Sequence, residues 1–398
     1  MMKHPKIFFV VSLLMGMLLL FSKCINSSNE SYADARGEKY AGAATCMGCH
    51  KDIVTSFAHN GHYKTSSPVD NRALKKLVTA ANSIFYFMDS SHITIEEKDS
   101  VLGQTYFSNG KETVSHKFDI AFGSAEKAQT YAYWQADKLL ELPLTYFTAM
   151  HTWANSPGFT INHANYNRVI ESRCFECHAS YVSKEFVQSG ALKVSEKLDP
   201  ASIIYGIDCE RCHGPAADHV QYQQQHPDDK KAKFITSISA LSRQQQLDVC
   251  AVCHSGNDQS TQRSVFGFVP GDTLSNFYFP DFGSGNNEPD VHGKQLQMLQ
   301  SSKCFQLSQM TCNTCHNNHQ EQNTQSFIST CMNCHQSSAH AVGYIKQDNM
   351  NSKILTVNKN CIDCHMPLQP SKTIYFNSSA GLKNLPYLLR THRIAVYK

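Results

Sequence analysis

Seven times in 398 residues the chain reads Cys-x-x-Cys-His, and no other feature limits its folding as strongly. The copies are CMGCH (Cys46, Cys49, His50), CFECH (Cys174, Cys177, His178), CERCH (Cys209, Cys212, His213) and CAVCH (Cys250, Cys253, His254). CNTCH (Cys312, Cys315, His316), CMNCH (Cys331, Cys334, His335) and CIDCH (Cys361, Cys364, His365) complete the set. A chain of this composition would hold about 0.03 copies of the haem-attachment pattern by chance. The motifs take up 14 of the 16 cysteines and leave only Cys24 and Cys304.

Two thiols three positions apart on one turn can each add to a vinyl group of the same haem. The adjacent imidazole then reaches the iron as the proximal ligand. Zinc sites built from paired Cys-x-x-Cys units give no reason for a histidine after every second cysteine. A disulfide across so short a ring would be strained seven times over. The pattern therefore predicts seven covalently bound c-type haems.

From Cys174 to His365, six motifs share 192 residues, or 32 residues each. At that density macrocycles replace much of the side-chain core. The expected fold is a mostly α and irregular multihaem cytochrome c fold with a haem-packed core and a small antiparallel β insertion. That insertion falls in the 123 motif-free residues between His50 and Cys174. Ser91 to Thr105 and Val114 to Phe122 alternate in the manner of strands, joined by the turn SNGKE (Ser108 to Glu112). Tyr131 to Trp134 and LLELPLTYF suggest more.

The amino terminus reads as an export signal. Lys3 and Lys6 precede an apolar run of 15 residues, Ile7 to Phe21, too short to span a membrane comfortably. Cys24 follows in LLLFSKC, which resembles a bacterial lipobox, although Lys23 stands where a small residue is usual. An uncleaved anchor or a later cut is the alternative. The expected organisation is a signal at 1–23, a segment with the first motif at 24–79, the β-rich insertion at 80–150 and a haem-dense domain at 151–398. Removing residues 1–23 takes away three lysines and no acid, so the formal charge of +3 falls to zero. No basic run remains to bind nucleic acid. Haem propionates would make the loaded protein acidic and favour basic partners, with salt-sensitive encounters.

Strings in order along the chain resemble the multihaem c-type cytochromes grouped with the ammonia-oxidation tetrahaem cytochrome, in particular versions with a β insertion. They are YAGAATCMGCHKDIVTSFAHNGHYKT, AFGSAEKAQTYAYW, LLELPLTYF, WANSPGF, RVIESRCFECH, IDCERCHGPAADHV, SSKCFQLSQMTCNTCHNNH, CIDCHMP and THRI. Some relatives continue into tetratricopeptide repeats; here none follows His392, so a scaffold role through such repeats is not expected.

Setting aside His4 and the seven motif histidines leaves 12 candidates for seven distal positions. The resemblance implies His62, His219, His319, His340 and His392 as distal ligands. His163, eleven residues before Cys174, and His151, beside Trp153, come next. His59 shares a helical face with His62, and only one of the two is expected to bind iron. His92 and His116 fall in expected strands, His226 lies in a polar loop, and His292 is undecided. Met366 beside His365 cannot readily reach the opposite face of the same haem. Cys304 is a leftover thiol, either buried and inert or placed near a haem.

Two imidazoles per iron suit electron transfer and close the iron to substrate. The leading expectation is an exported, lipid-anchored electron carrier between a quinol-oxidising membrane complex and a terminal reductase. A module of an outer-membrane conduit with a porin-like partner differs from this only in its neighbours. The alternative is a multihaem oxidoreductase acting on a small nitrogen or sulfur compound at a five-coordinate haem. Related enzymes often mark such a haem with lysine in place of the proximal histidine, and no Cys-x-x-Cys-Lys occurs here.

Overall fold

The computed structural model describes residues 34–256, 258–279, 288–335, 360–378 and 381–397. Cys24 and His340 lie outside them. Strand and helix occupy nearly equal shares of the described residues, which corrects the expectation of a mostly α and irregular fold. Among the described residues there are sixteen strands, in several antiparallel sheets.

Ten of them lie between the first and second motifs: β1 (Ser66–Pro68), β2 (Ile84–Tyr86), β3 (His92–Lys98), β4 (Val101–Ser108), β5 (Lys111–Lys117), β6 (Ile120–Phe122), β7 (Ala128–Gln135), β8 (Lys138–Glu141), β9 (Leu144–Phe147) and β10 (Thr152–Asn155). β2-β3-β4-β5 form one antiparallel sheet. A second runs β1-β6-β7-β9-β10, with β8 added against β7. The β4–β5 turn places both Asn109 (φ 53°) and Gly110 (φ 72°) in the left-handed region. A two-residue hairpin turn that follows the strand twist needs this, and Asn-Gly supplies it at least cost.

Alternation then fixes which side chains meet. Phe85, Ile93, Ile95 and Leu102 from the first sheet pack with Tyr131, Tyr133, Leu144, Tyr146 and Trp153 from the second. This core is made of side chains, so the expectation of a haem-packed core does not hold for this half of the molecule.

Further strands appear where irregular structure was expected. β11 (Ala179–Tyr181) pairs with β14 (Ile204–Tyr205), and β12 (Lys184–Gly190) with β13 (Lys193–Leu198). β15 (Leu368–Ser378) and β16 (Gly381–Arg390) make a long carboxy-terminal hairpin. Its Phe376 and Tyr387 join the aromatic core of the two sheets, and the Asn377 amide donates to Asn155 Oδ1 at 2.7 Å. The last motif is thereby tied to the β region more than 200 residues earlier.

The helices are short and gather around the motifs. The longest, Arg243–His254, opens with a capping box between Ser242 and Gln245 and ends on the fourth motif. Its Leu247, Ala251 and Val252 are buried. Short helices also carry the second (Ser172–His178), third (Cys209–His213) and seventh (Cys361–His365) motifs.

Candidate haem-binding centre

Members of the second to seventh motifs line one connected cavity of about 3930 Å³. A pocket for one drug-sized ligand occupies roughly 300–1,000 Å³, so this space has room for several large groups. The lining combines thiols and imidazoles with apolar side chains such as Ile207, Leu296, Leu299 and Ile328.

Four motif histidines face a second histidine. Ring centres are 6.4 Å apart for His50 and His219, 6.1 Å for His254 and His62, 5.8 Å for His213 and His319, and 6.2 Å for His316 and His392. A metal–imidazole bond of about 2.0–2.1 Å on each side, plus about 1.1 Å from ring nitrogen to ring centre, gives about 6.3 Å for two imidazoles sharing one metal. Interplanar angles range from 6° to 87°, which rotation about the shared axis permits. The spacing fits an iron between each pair.

The second nitrogen of several rings is already spoken for. Nδ1 contacts Thr236 O in His213 (3.3 Å), Lys233 O in His219 (2.8 Å), Gln295 Oε1 in His254 (3.3 Å), Asn60 Oδ1 in His62 (3.1 Å) and Ala395 O in His365 (2.9 Å). A proton on Nδ1 directed at these oxygens leaves Nε2 with its lone pair for a metal, the usual arrangement of ligating imidazoles. The rings of His178 and His392 interact with the backbone at Thr65 and Arg390 respectively.

Burial, reinforced by neighbouring imidazoles, pushes both His62 and His392 down to about 4. Burial also lowers His178, His213, His254 and His316. Imidazoles kept neutral at physiological pH are in the form that binds iron.

Of the distal histidines expected from sequence, His62, His219, His319 and His392 thus stand opposite motif histidines. His151 and His163 are exposed on the β region, and neither faces a motif histidine among the described residues. His151 takes a left-handed conformation (φ 48°) to close the turn Thr148–Met150, which leads the chain into β10 and away from the cavity. His292, undecided from sequence, lines the cavity and lies within electrostatic reach of His178. Its loop is anchored by the Asp290 carboxylate, which accepts hydrogen bonds from Ser371, Thr373 and the Lys372 amide. His92 and His116 sit in β3 and β5, stacked on Phe107 and Tyr133. Cys304 lines the cavity, within electrostatic reach of Cys315 and Cys331.

A family model described as cytochrome c554 and c-prime matches residues 142–214 and 311–385. These stretches carry the second, third, fifth, sixth and seventh motifs. The multiheme cytochrome MtrA of Shewanella baltica (strain OS185) is 27% identical over 190 residues, which cover 43% of this chain and 54% of the relative. The chain therefore spans about half the length of the curated relative it matches. Among solved structures, the outer cell wall cytochrome OcwA shares the fold, with a TM-score of 0.51 at 15% identity, covering 90% of this chain and 80% of that one.

Proposed function

We propose that this chain, a multihaem c-type cytochrome by its motifs and relatives, binds one haem covalently at each of its seven motifs and passes electrons between redox proteins. The observation that carries the reading is the set of four imidazole pairs at 5.8–6.4 Å. Haem iron held between two imidazoles exchanges single electrons while leaving no coordination site for substrate. The chain's own part is to hold the thiols at the spacing of two vinyl groups, present neutral Nε2 atoms from both sides and exclude water.

Cys46, Cys49, Cys174, Cys177, Cys209, Cys212, Cys250, Cys253, Cys312, Cys315, Cys331, Cys334, Cys361 and Cys364 would form the thioethers. The seven motif histidines would be proximal ligands, and His62, His219, His319 and His392 distal ones. The run from Ile7 to Cys24 supports export and lipid attachment. No helix among the described residues is long and apolar enough to cross a membrane. Partners would be a quinol-oxidising membrane complex on the donor side and a terminal reductase or outer-membrane conduit on the other.

The test is to purify the protein from an exporting host with the haem-attachment machinery, then determine its mass and ferric spin state. Seven haems, low-spin signals and no turnover of nitrite or hydroxylamine are expected. A dominant high-spin haem with such turnover would replace the carrier by an oxidoreductase.

A further inference from the structure

The seven motifs are not packed in sequence order. Helix Ala43–Cys46 packs against helix Cys209–His213, and Ser172–His178 against Arg243–His254. Arg243–His254 also meets the turn Cys312–Thr314, and helix Thr324–Met332 meets Cys361–His365. In the first three of these contacts motif thiols lie close to each other. Cys46 is within interaction range of Cys209, Cys177 of Cys253, and Cys250 of Cys312. Cys253 Sγ additionally lies 3.7 Å from Glu176 O, inside the second motif.

The helix of the fourth motif therefore meets two other motifs, with Cys253 on one side and Cys250 on the other. A third neighbour is the Cys212 thiol, which lines the same cavity and interacts electrostatically with both. The Arg211 guanidinium next to it donates to Glu176 O at 3.1 Å, tying the third motif to the second. Beyond the fifth motif, Phe327 of helix Thr324–Met332 packs on the His316 ring at 5.3 Å. That brings in the sixth motif, and through its helix contact the seventh.

Each thioether sulfur is one carbon away from the conjugated ring it anchors. Where thiols of two motifs lie this close, the rings they would anchor would be within electron-transfer reach of each other. We propose that the fourth motif is the junction of the electron path, resting on the reading of one haem per motif. The path runs first–third–fourth–fifth–sixth–seventh, with the second motif as a side branch beside the third and the fourth. Each hop oxidises one iron from Fe(II) to Fe(III) and reduces its neighbour from Fe(III) to Fe(II), with no atom transferred. External donor and acceptor are one-electron redox proteins. The first motif lies outside the cavity that members of the other six line, which makes that end a port.

The order can be tested by spin labelling single irons in the holoprotein. His62→Gly, His392→Gly, His219→Gly and His319→Gly would open the fourth, fifth, first and third sites. Nitric oxide added to the fully reduced protein gives an unpaired spin at an opened iron, read as the difference from the unaltered protein treated the same way, because six-coordinate ferrous haems are diamagnetic. Loss of that signal on adding imidazole confirms that the site is intact. The doubles His62→Gly/His392→Gly and His219→Gly/His319→Gly should give strongly broadened spectra with a half-field transition. His219→Gly/His392→Gly should give two unbroadened spectra and only a weak dipolar modulation. Strong coupling in the last pair, or none in the first two, overturns the order. If a single variant opens no iron, the ligand assignment fails instead, and with it that part of the proposed function. Should a glycine variant lose haem, the matching His→Met variant keeps six ligands. Neighbours in the order must then shift each other's redox titration and non-neighbours must not.

Discussion

Arg36 offers a quantitative test of what holds the first motif against the third. Its guanidinium contacts Asp34 at 2.9 Å, Asp208 at 2.7 Å and Glu210 at 3.1 Å, and lies over the Tyr40 ring at 4.3 Å. The Arg36, Asp208 and Glu210 side chains are 5%, 5% and 1% exposed. Asp208 and Glu210 flank Cys209, so the cluster fastens the segment before Cys46 to the third motif. Arg36→Met keeps an unbranched apolar stem but leaves buried carboxylates without their cation. Breaking a buried pair this way costs about 3–5 kcal/mol. Glu210 keeps amide donors from Ala41, Gly42 and Ala216 at 2.8–2.9 Å, and Asp208 keeps the Arg211 amide at 2.9 Å. The loss should therefore fall at the low end, about 3 kcal/mol, or on the order of 10²-fold in local opening.

Native-state hydrogen exchange reads this directly. Amides of residues 36–50 should lose about two decades of protection in the variant, while those of β3 and β4 stay unchanged. The effect also has a pH signature. Burial raises Glu210 above the ordinary carboxylate range, and Arg36 is among the groups that lower it. Without Arg36 its folded-state value rises further, so the variant's folded form binds more protons than its unfolded form at intermediate pH. The deficit must then grow as pH rises from the folded-state value of Glu210 in the parent to that in the variant, and shrink on acidification. A deficit under about 1 kcal/mol, or one that grows toward acid, would refute the argument.

Three further outcomes follow from single residues. Glu141, buried in β8, is pushed up to about 7 by burial, partly offset by Arg168 at 3.2 Å. Stability should fall as pH rises from the unfolded carboxylate range to about 7 and then level, and Glu141→Gln should remove that slope in urea titrations. Gly206 (φ 66°) is pressed against the Tyr63 carbonyl, and the neighbouring Ile207 amide donates to His62 O at 2.9 Å. Gly206→Ala should displace His62 and appear as a high-spin ferric signal that added imidazole reverses; an unchanged low-spin spectrum would count against His62 as a ligand. Gly110→Ala meets open space but keeps φ 72°, so it should cost only about 1 kcal/mol in thermal or urea unfolding, with no spectral change.

Haem attachment was legible because it is local chemistry: two thiols and an imidazole within five residues need no knowledge of the fold. Strands β3 to β5 were legible for the same reason, through alternation and an Asn-Gly turn. The sixth ligands are a different kind of information. His62 faces His254, and His319 faces His213, across long stretches of chain that no spacing rule connects. Proximity to a motif or to Trp153 pointed to His151 and His163, yet their stretch of chain is committed to the β region. His292 gave no local signal at all; its position depends on Asp290 meeting the start of β15. That hairpin was itself obscured by Pro370 and Pro386, which argue against a central strand but are tolerated in a two-stranded one.

The exchange of ligands among motifs has a mechanical consequence. His219, on the helix after the third motif, faces His50 of the first; His319, after the fifth, faces His213 of the third; His62, after the first, faces His254 of the fourth. On the proposed reading, every such pair would close a loop between segments distant in the chain, some of which already meet through side chains, as Arg36 does with Asp208 and Glu210. Loop-closure cost grows slowly with length, so long closures cost little more than short ones once a metal–ligand bond holds them. The β region has an apolar core to stand on. The motif-bearing segments have smaller clusters, such as Leu247, Ala251, Leu296 and Phe305 beside the fourth motif. If the facing histidines share irons as proposed, those bonds would add to the clusters and ion pairs that already hold the first, third, fourth and fifth motifs together. The proposed ligand set would then also help to pack those motifs out of their sequence order.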